Sequence, residues 1–166
     1  MFAHGSGSSR LSPRNTQVAR MLRDAGIATL LFDLLTEREA ADRANVFDMQ
    51  LLADRLRAAT AWIRKTEATR ALHVGYFGAS TGAAAALIAA AADPTIGAVV
   101  SRGGRPDLAA AALPKVKAPT LLIVGGDDTL VVDLNQDAYA QLRCEKQLTI
   151  VPGAGPRQSP KSSRMA

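Results

Sequence analysis

Apolar residues come in short runs, and the stretches between them carry helical spacing. Ile27–Phe32, IATLLF, is a continuous apolar run of strand length, the mark of a strand buried on both faces. Leu72–Phe77, Ile96–Ser101, Pro119–Val124 and Gln147–Val151 read as further strands, and Met1–His4 as the end of one cut short by the start of the chain. Pro13–Ala25 places Val18, Met21, Leu22 and Ala25 on one helical face, with Pro13 suited to the first turn and Gly26 as the stop. Val46–Arg64 reads as a long helix with Phe47, Leu51, Leu52, Leu56, Ala59 and Ile63 apolar, and with Trp62 expected in the core. Thr81–Ala92 and Asp133–Leu142 are the other helices, Ala109–Ala112 a short helical turn, and Thr36–Arg43 a charged connecting segment. This alternation predicts a three-layer, doubly wound α/β fold with a mostly parallel sheet of about six strands. No internal repeat interrupts it.

The pattern stops near Ala154. Residues 155–166 have no apolar periodicity, two prolines, and serines mixed with basic residues, so they are expected to form a disordered basic tail after one domain spanning 1–154. Composition fits a globular protein, with 48% hydrophobic and 21% charged residues. Ala83–Ala92 is too short to span a membrane, and nothing at the start resembles a signal peptide. A cytoplasmic location and no membrane partner are therefore expected. The single cysteine, Cys144, rules out an internal disulfide and sits away from any His or Asp cluster, so it reads as structural. The net charge of +5 owes three basic residues to the tail (Arg157, Lys161 and Arg164), and no basic stripe with interleaved aromatics remains without them. Nucleic acid is accordingly not expected as a partner.

Gly78-Ala79-Ser80-Thr81-Gly82 fits G-x-S-x-G, with a buried strand before it and a helix after it. A sharp strand-to-helix turn strains the serine backbone and demands small neighbours, while the helix N-terminus faces the place where a negative oxygen develops. Ser80 is therefore the candidate nucleophile. The amides of Thr81 and of Ser6, in the glycine-rich loop His4–Arg10, are the candidate oxyanion donors, with Gly7 as second choice for the loop. That loop lacks the lysine and the glycine spacing of a nucleotide cradle. Asp128, after the strand Pro119–Val124, is the candidate acid, with Asp127 as its alternative.

The segments HGSGSS, GYFGASTG and LLIVGGDDTLV resemble the α/β-hydrolase superfamily, and more closely small bacterial proteins of the dienelactone hydrolase family. LLFDLLT at 30–36 and SRGGRPDLA at 101–109 extend the likeness, which runs from Phe2 to about Ala154. The resemblance implies an incomplete α/β-hydrolase fold lacking its N-terminal strands, a Ser/Cys–Asp–His triad with Ser80 and Asp128 in the first two roles, and no cofactor or metal. It also implies that relatives occur fused to other domains, phosphoribosyltransferases among them. In such proteins the histidine follows the last strand, after a segment like Pro152-Gly153-Ala154. Here none appears to the end, so the triad base is expected to be missing, by a shifted reading frame near Ala154 or by natural loss, together with a final helix over one face of the sheet.

Of the two histidines, His73 lies seven residues before Ser80, ~23 Å along an extended chain, at the wrong end of the sheet. His4, beside the oxyanion loop, is expected to support that loop rather than act as base. Arg102 and Arg105 at the sheet rim suit an anionic substrate group, against the plainer reading of an ion pair with Asp107 or Asp33. Two function classes follow. The first is a serine hydrolase for a small ester, lactone or thioester, impaired by the missing base. The second is a non-catalytic binding module with an anion-binding rim. An exposed sheet edge that pairs with a second copy is a further expectation.

Overall fold

The computed structural model describes residues 1–155; the expected tail beyond Gly155 lies outside the described residues. Strands β1 (Phe2–Ala3), β2 (Gly75–Ala79), β3 (Ala98–Arg102), β4 (Thr120–Gly125) and β5 (Lys146–Val151) form one parallel sheet in the order β1-β2-β3-β4-β5. All five strands therefore end on the same rim, where open parallel sheets carry their ligands.

The sheet has five strands where about six were expected. Residues Ile27–Phe32 run extended beside β1, but only Leu31 bridges to it, opposite Phe2. β1 spans two residues, so it offers too short a ladder for a full strand to form on that side. The placement still gives the double winding. The chain leaves β1 through α1 (Pro13–Asp24) to one side and returns through α4 (Met49–Lys65) to β2 on the other. Right-handed crossovers then put α1 and α4 on opposite faces.

The long helix expected at Val46–Arg64 is divided. Two four-residue helices, α2 (Glu37–Ala40) and α3 (Arg43–Val46), precede α4, which starts afresh because Asp48 caps it by accepting from the Leu51 amide. Leu52, Ala53, Leu56, Thr60 and Ile63 form its buried stripe. Trp62, expected in the core, falls off that stripe and is 59% exposed. In α1 the buried positions are Asn15 and Ala19, while Met21 and Ala25 of the expected face are exposed.

Helix α5 (Thr81–Ala91) is buried nearly all round, as a helix that is apolar on every side must be. Its alanines let it press against α4, β2 and β3. Register explains the two faces of the sheet. Tyr76, Val99, Leu122 and Val124 point to the α5 side and are buried. Phe77, Val100, Leu121 and Ile123 share the opposite face, where α1 lies, and remain only partly buried. Phe2 is the exception there, buried with its ring 5.0 Å from Phe77. Helix α6 (Thr129–Gln141) follows β4 and packs on β4 and β5. Among the described residues, no helix is long and apolar enough to cross a membrane.

Candidate active site

β2 ends at Ala79 and α5 begins at Thr81, leaving Ser80 alone in the turn. Ser80 has φ 51° and ψ −125°, and it is the only non-glycine residue with positive φ among the described residues. Such a conformation costs of order 1–3 kcal/mol and persists only where the surroundings impose it. Three close approaches do so. A Cβ on Gly78 would stand 2.4 Å from the Ala83 Cα, one on Gly82 2.1 Å from the Ala3 carbonyl oxygen, and one on Gly5 2.8 Å from the Ser80 Cβ. The Ser80 carbonyl accepts from the amides of Ala83 and Arg105, both at 3.1 Å, which anchors the turn from beyond β3. The hydroxyl makes no capping bond to α5. A hydroxyl left free of a capping bond at a helix N-terminus suits acyl chemistry.

The loop His4–Arg10, the candidate source of an oxyanion donor, is tied down from the α2 side. His4 Nε2 accepts from the Leu34 amide at 3.1 Å, which leaves the ring proton on Nδ1, 3.0 Å from the Gly5 carbonyl. Both ring nitrogens are thereby occupied, and His4 holds the loop as expected. Asp33 accepts from the Arg10 amide at 2.7 Å and pairs with its guanidinium. Desolvation raises the Asp33 carboxyl, but the Arg10 contacts outweigh it and hold it below the usual carboxylate range. Between this loop, the segment Leu31–Glu37 and α5 lies a cavity of about 730 Å³, whose wall includes Ser6, Thr81, Leu34, Val46 and Leu52.

The two expected oxyanion donors do touch, in a way the sequence does not show. The Ser6 amide donates to Thr81 Oγ1 at 2.9 Å. Ser6 is thus beside the elbow, with its N–H occupied by the Thr81 side chain.

Asp128 stands at the same rim, just past β4, half-buried, and caps α6 by accepting from the Val131 amide at 3.2 Å. Asp127 is exposed, and its amide donates to the Ala154 carbonyl at 3.0 Å. β2 and β4 are two strand positions apart, ~10 Å at the usual spacing, so a side chain between Ser80 and Asp128 would have to bridge them. His73 is exposed and precedes β2 at the opposite end of the sheet.

The two arginines part ways. Arg105 forms a two-pronged pair with Asp107, at 2.8 and 2.7 Å, the plainer of the two readings. Arg102 meets neither expected acid: its Nη2 donates to Asn15 Oδ1 at 3.0 Å, and its guanidinium lies 5.7 Å from the Phe77 ring centre. Its Nε is buried without a partner, and burial, with a smaller effect from Arg14, lowers its pKa. The position of Asn15, in a helix 87 residues away, gave the sequence no signal for this contact.

Comparison with known proteins agrees with this geometry. Residues 14–154 match the model of the dienelactone hydrolase family. A crystal structure of a dienelactone hydrolase from Anabaena variabilis is 60% identical, with a TM-score of 0.89, over 93% of this chain and 74% of that one. An esterase from Pyrococcus furiosus shares the fold at 21% identity and a TM-score of 0.74. A curated Mycobacterium tuberculosis H37Rv protein, whose name proposes a phosphoribosyl transferase, is 62% identical over 156 residues. That match covers 93% of this chain and 35% of the relative, so the chain spans about a third of the curated protein's length. The family model covers most of the chain and includes the serine elbow and Asp128: the chain belongs to the dienelactone hydrolase family and has an incomplete α/β-hydrolase fold.

Proposed function

We propose that this chain is a serine hydrolase domain for a small ester, lactone or thioester, slowed by the lack of a base. Ser80 attacks the substrate carbonyl, the Thr81 amide at the α5 N-terminus receives the negative oxygen, and Asp128 is the acid that would orient an imidazole. The observation that carries this is the strained, uncapped Ser80 at φ 51°, held by three glycines at which a Cβ would clash with its neighbours. Slowing follows from the inventory of histidines. His4 has both nitrogens engaged, and His73 is at the far end of β2. Without a base only the residual catalysis of the oxyanion hole and binding is left, ~10³–10⁴-fold over water.

The phosphoribosyl transferase named for the M. tuberculosis relative belongs, on this reading, to the part of that protein this chain does not match. The loop His4–Arg10 has no lysine and serves the elbow.

The second reading, a binding module with an anion-holding rim, draws on Arg102, which among the described residues has no acid beside it. A fluorophosphonate probe separates the two. Slow labelling that disappears in Ser80→Ala is the hydrolase result, and complete absence of labelling, with imidazole supplied as a base, favours the module.

A further inference from the structure

Thr81 is a buried residue, 4% exposed, in the wall of the 730 Å³ cavity. Its hydroxyl has one proton to give and two lone pairs. The Ser6 N–H can only donate, so in the 2.9 Å contact Thr81 Oγ1 is the acceptor. The hydroxyl proton then needs an acceptor of its own, and among the described residues it has none. Other buried threonines do not share this state. Thr60 bonds to the Leu56 carbonyl, and Thr120 to that of Ala118. Thr60 reaches the carbonyl one turn earlier in its own helix. Thr81 is the first residue of α5, so no helical carbonyl precedes it. Burying a hydroxyl with its proton unpaired is costly, and Thr81 lines the cavity.

We propose that the Thr81 hydroxyl donates to an oxygen of an acyl ligand, as a second donor beside the Thr81 backbone amide, the Ser6 amide being committed to the hydroxyl itself. This deepens the hydrolase reading and rests on it for the identity of that oxygen. The ligand class is a short acyl group, because the same cavity combines apolar residues such as Leu34, Val46 and Leu52 with the polar loop residues. The Ser6 contact serves to aim the donor: with one lone pair committed to that amide, the hydroxyl is restrained to turn its proton towards the carbonyl or carboxylate oxygen.

The test is the binding of butanoate, followed by NMR through the Ser6 and Thr81 amides. Saturable shifts are expected in the natural chain. Thr81→Val keeps the shape, removes the hydroxyl, and is expected to weaken binding by about fivefold to tenfold. Thr81→Ser returns the hydroxyl without the methyl and is expected to restore it. If Thr81→Val does not fold, Thr81→Ala serves, with the same loss expected.

The sign of the change decides the role. If the hydroxyl only occupied the Ser6 amide, removing it would free that N–H for the ligand, and butanoate would bind equally well or more tightly. That result overturns the proposal. So does a Thr81→Ser variant as weak as Thr81→Val, or a natural chain with no saturable binding up to ~100 mM butanoate. Butanoate binding makes no use of Ser80 as nucleophile. Failure here with Ser80 still labelled by fluorophosphonate would therefore remove the hydroxyl donor and leave the hydrolase reading standing.

Discussion

A Cβ placed on Gly82 would stand 2.1 Å from the carbonyl oxygen of Ala3 and 2.5 Å from that of His4. Helix α5 therefore touches the backbone of β1, and this contact sets the distance between the serine elbow and the loop His4–Arg10. In an exposed helix, Gly→Ala gains up to ~1 kcal/mol of propensity. Here the clash is with backbone, which cannot swing aside, and overpacking of this kind costs ~1–3 kcal/mol. The clash wins. Gly82→Ala is expected to lower the urea midpoint and to shift the amides of His4, Gly5 and Ser6. An unchanged or raised midpoint would mean that β1 and α5 are not in contact.

Arg102 and Asn15 make a second coupled pair. Asn15 is 2% exposed, and its Oδ1 takes its hydrogen bond from Arg102. Arg102→Met is expected to cost about 1–3 kcal/mol by urea unfolding, because a buried carbonyl is left without a donor. Replacing both partners removes the orphan, so Arg102→Met with Asn15→Leu is expected to recover most of the loss. A double variant as unstable as the sum of its parts would show that the two side chains do not interact.

Acid should act partly through Asp107. Two hydrogen bonds from the Arg105 guanidinium hold its carboxyl below the usual carboxylate range, against the opposing effect of burial. The folded-state value is thus depressed relative to the unfolded one. The resulting stability is complete above the unfolded value of ~4 and is lost as pH falls through it towards the folded value. Urea midpoints measured from pH 7 down to pH 3 are expected to fall further in the natural chain than in Asp107→Asn. Parallel curves would remove Asp107 as a contributor.

The elbow was legible in the sequence because its constraints are local. A strand, three small residues around a serine and an apolar helix leave few ways to fold, and Gly78 and Gly82 meet the limits that the motif implies. The parallel sheet was legible for a similar reason, since buried strands read as unbroken apolar runs. What depends on distant partners was not. Ile27–Phe32 has the composition of a strand but finds only a two-residue neighbour. Trp62 is apolar yet lies outside the stripe that α4 buries, and the buried face of α1 centres on Asn15 and Ala19 rather than on its larger apolar residues. The bond between Ser6 and Thr81 joins residues 75 positions apart, and neither motif taken alone implies it.

Supplying a base from outside tests the proposed role of Ser80 most directly. Free imidazole should enter the space between Ser80 and Asp128 and take the serine proton. Fluorophosphonate labelling is expected to be slow in buffer and at least ~10-fold faster with imidazole, following the fraction of neutral imidazole as pH is varied. It should be absent in Ser80→Ala, and the acceleration should shrink in Asp128→Asn. Rapid labelling that imidazole does not change would reveal a base already in place, and no labelling even with imidazole would mean that Ser80 is not poised to attack.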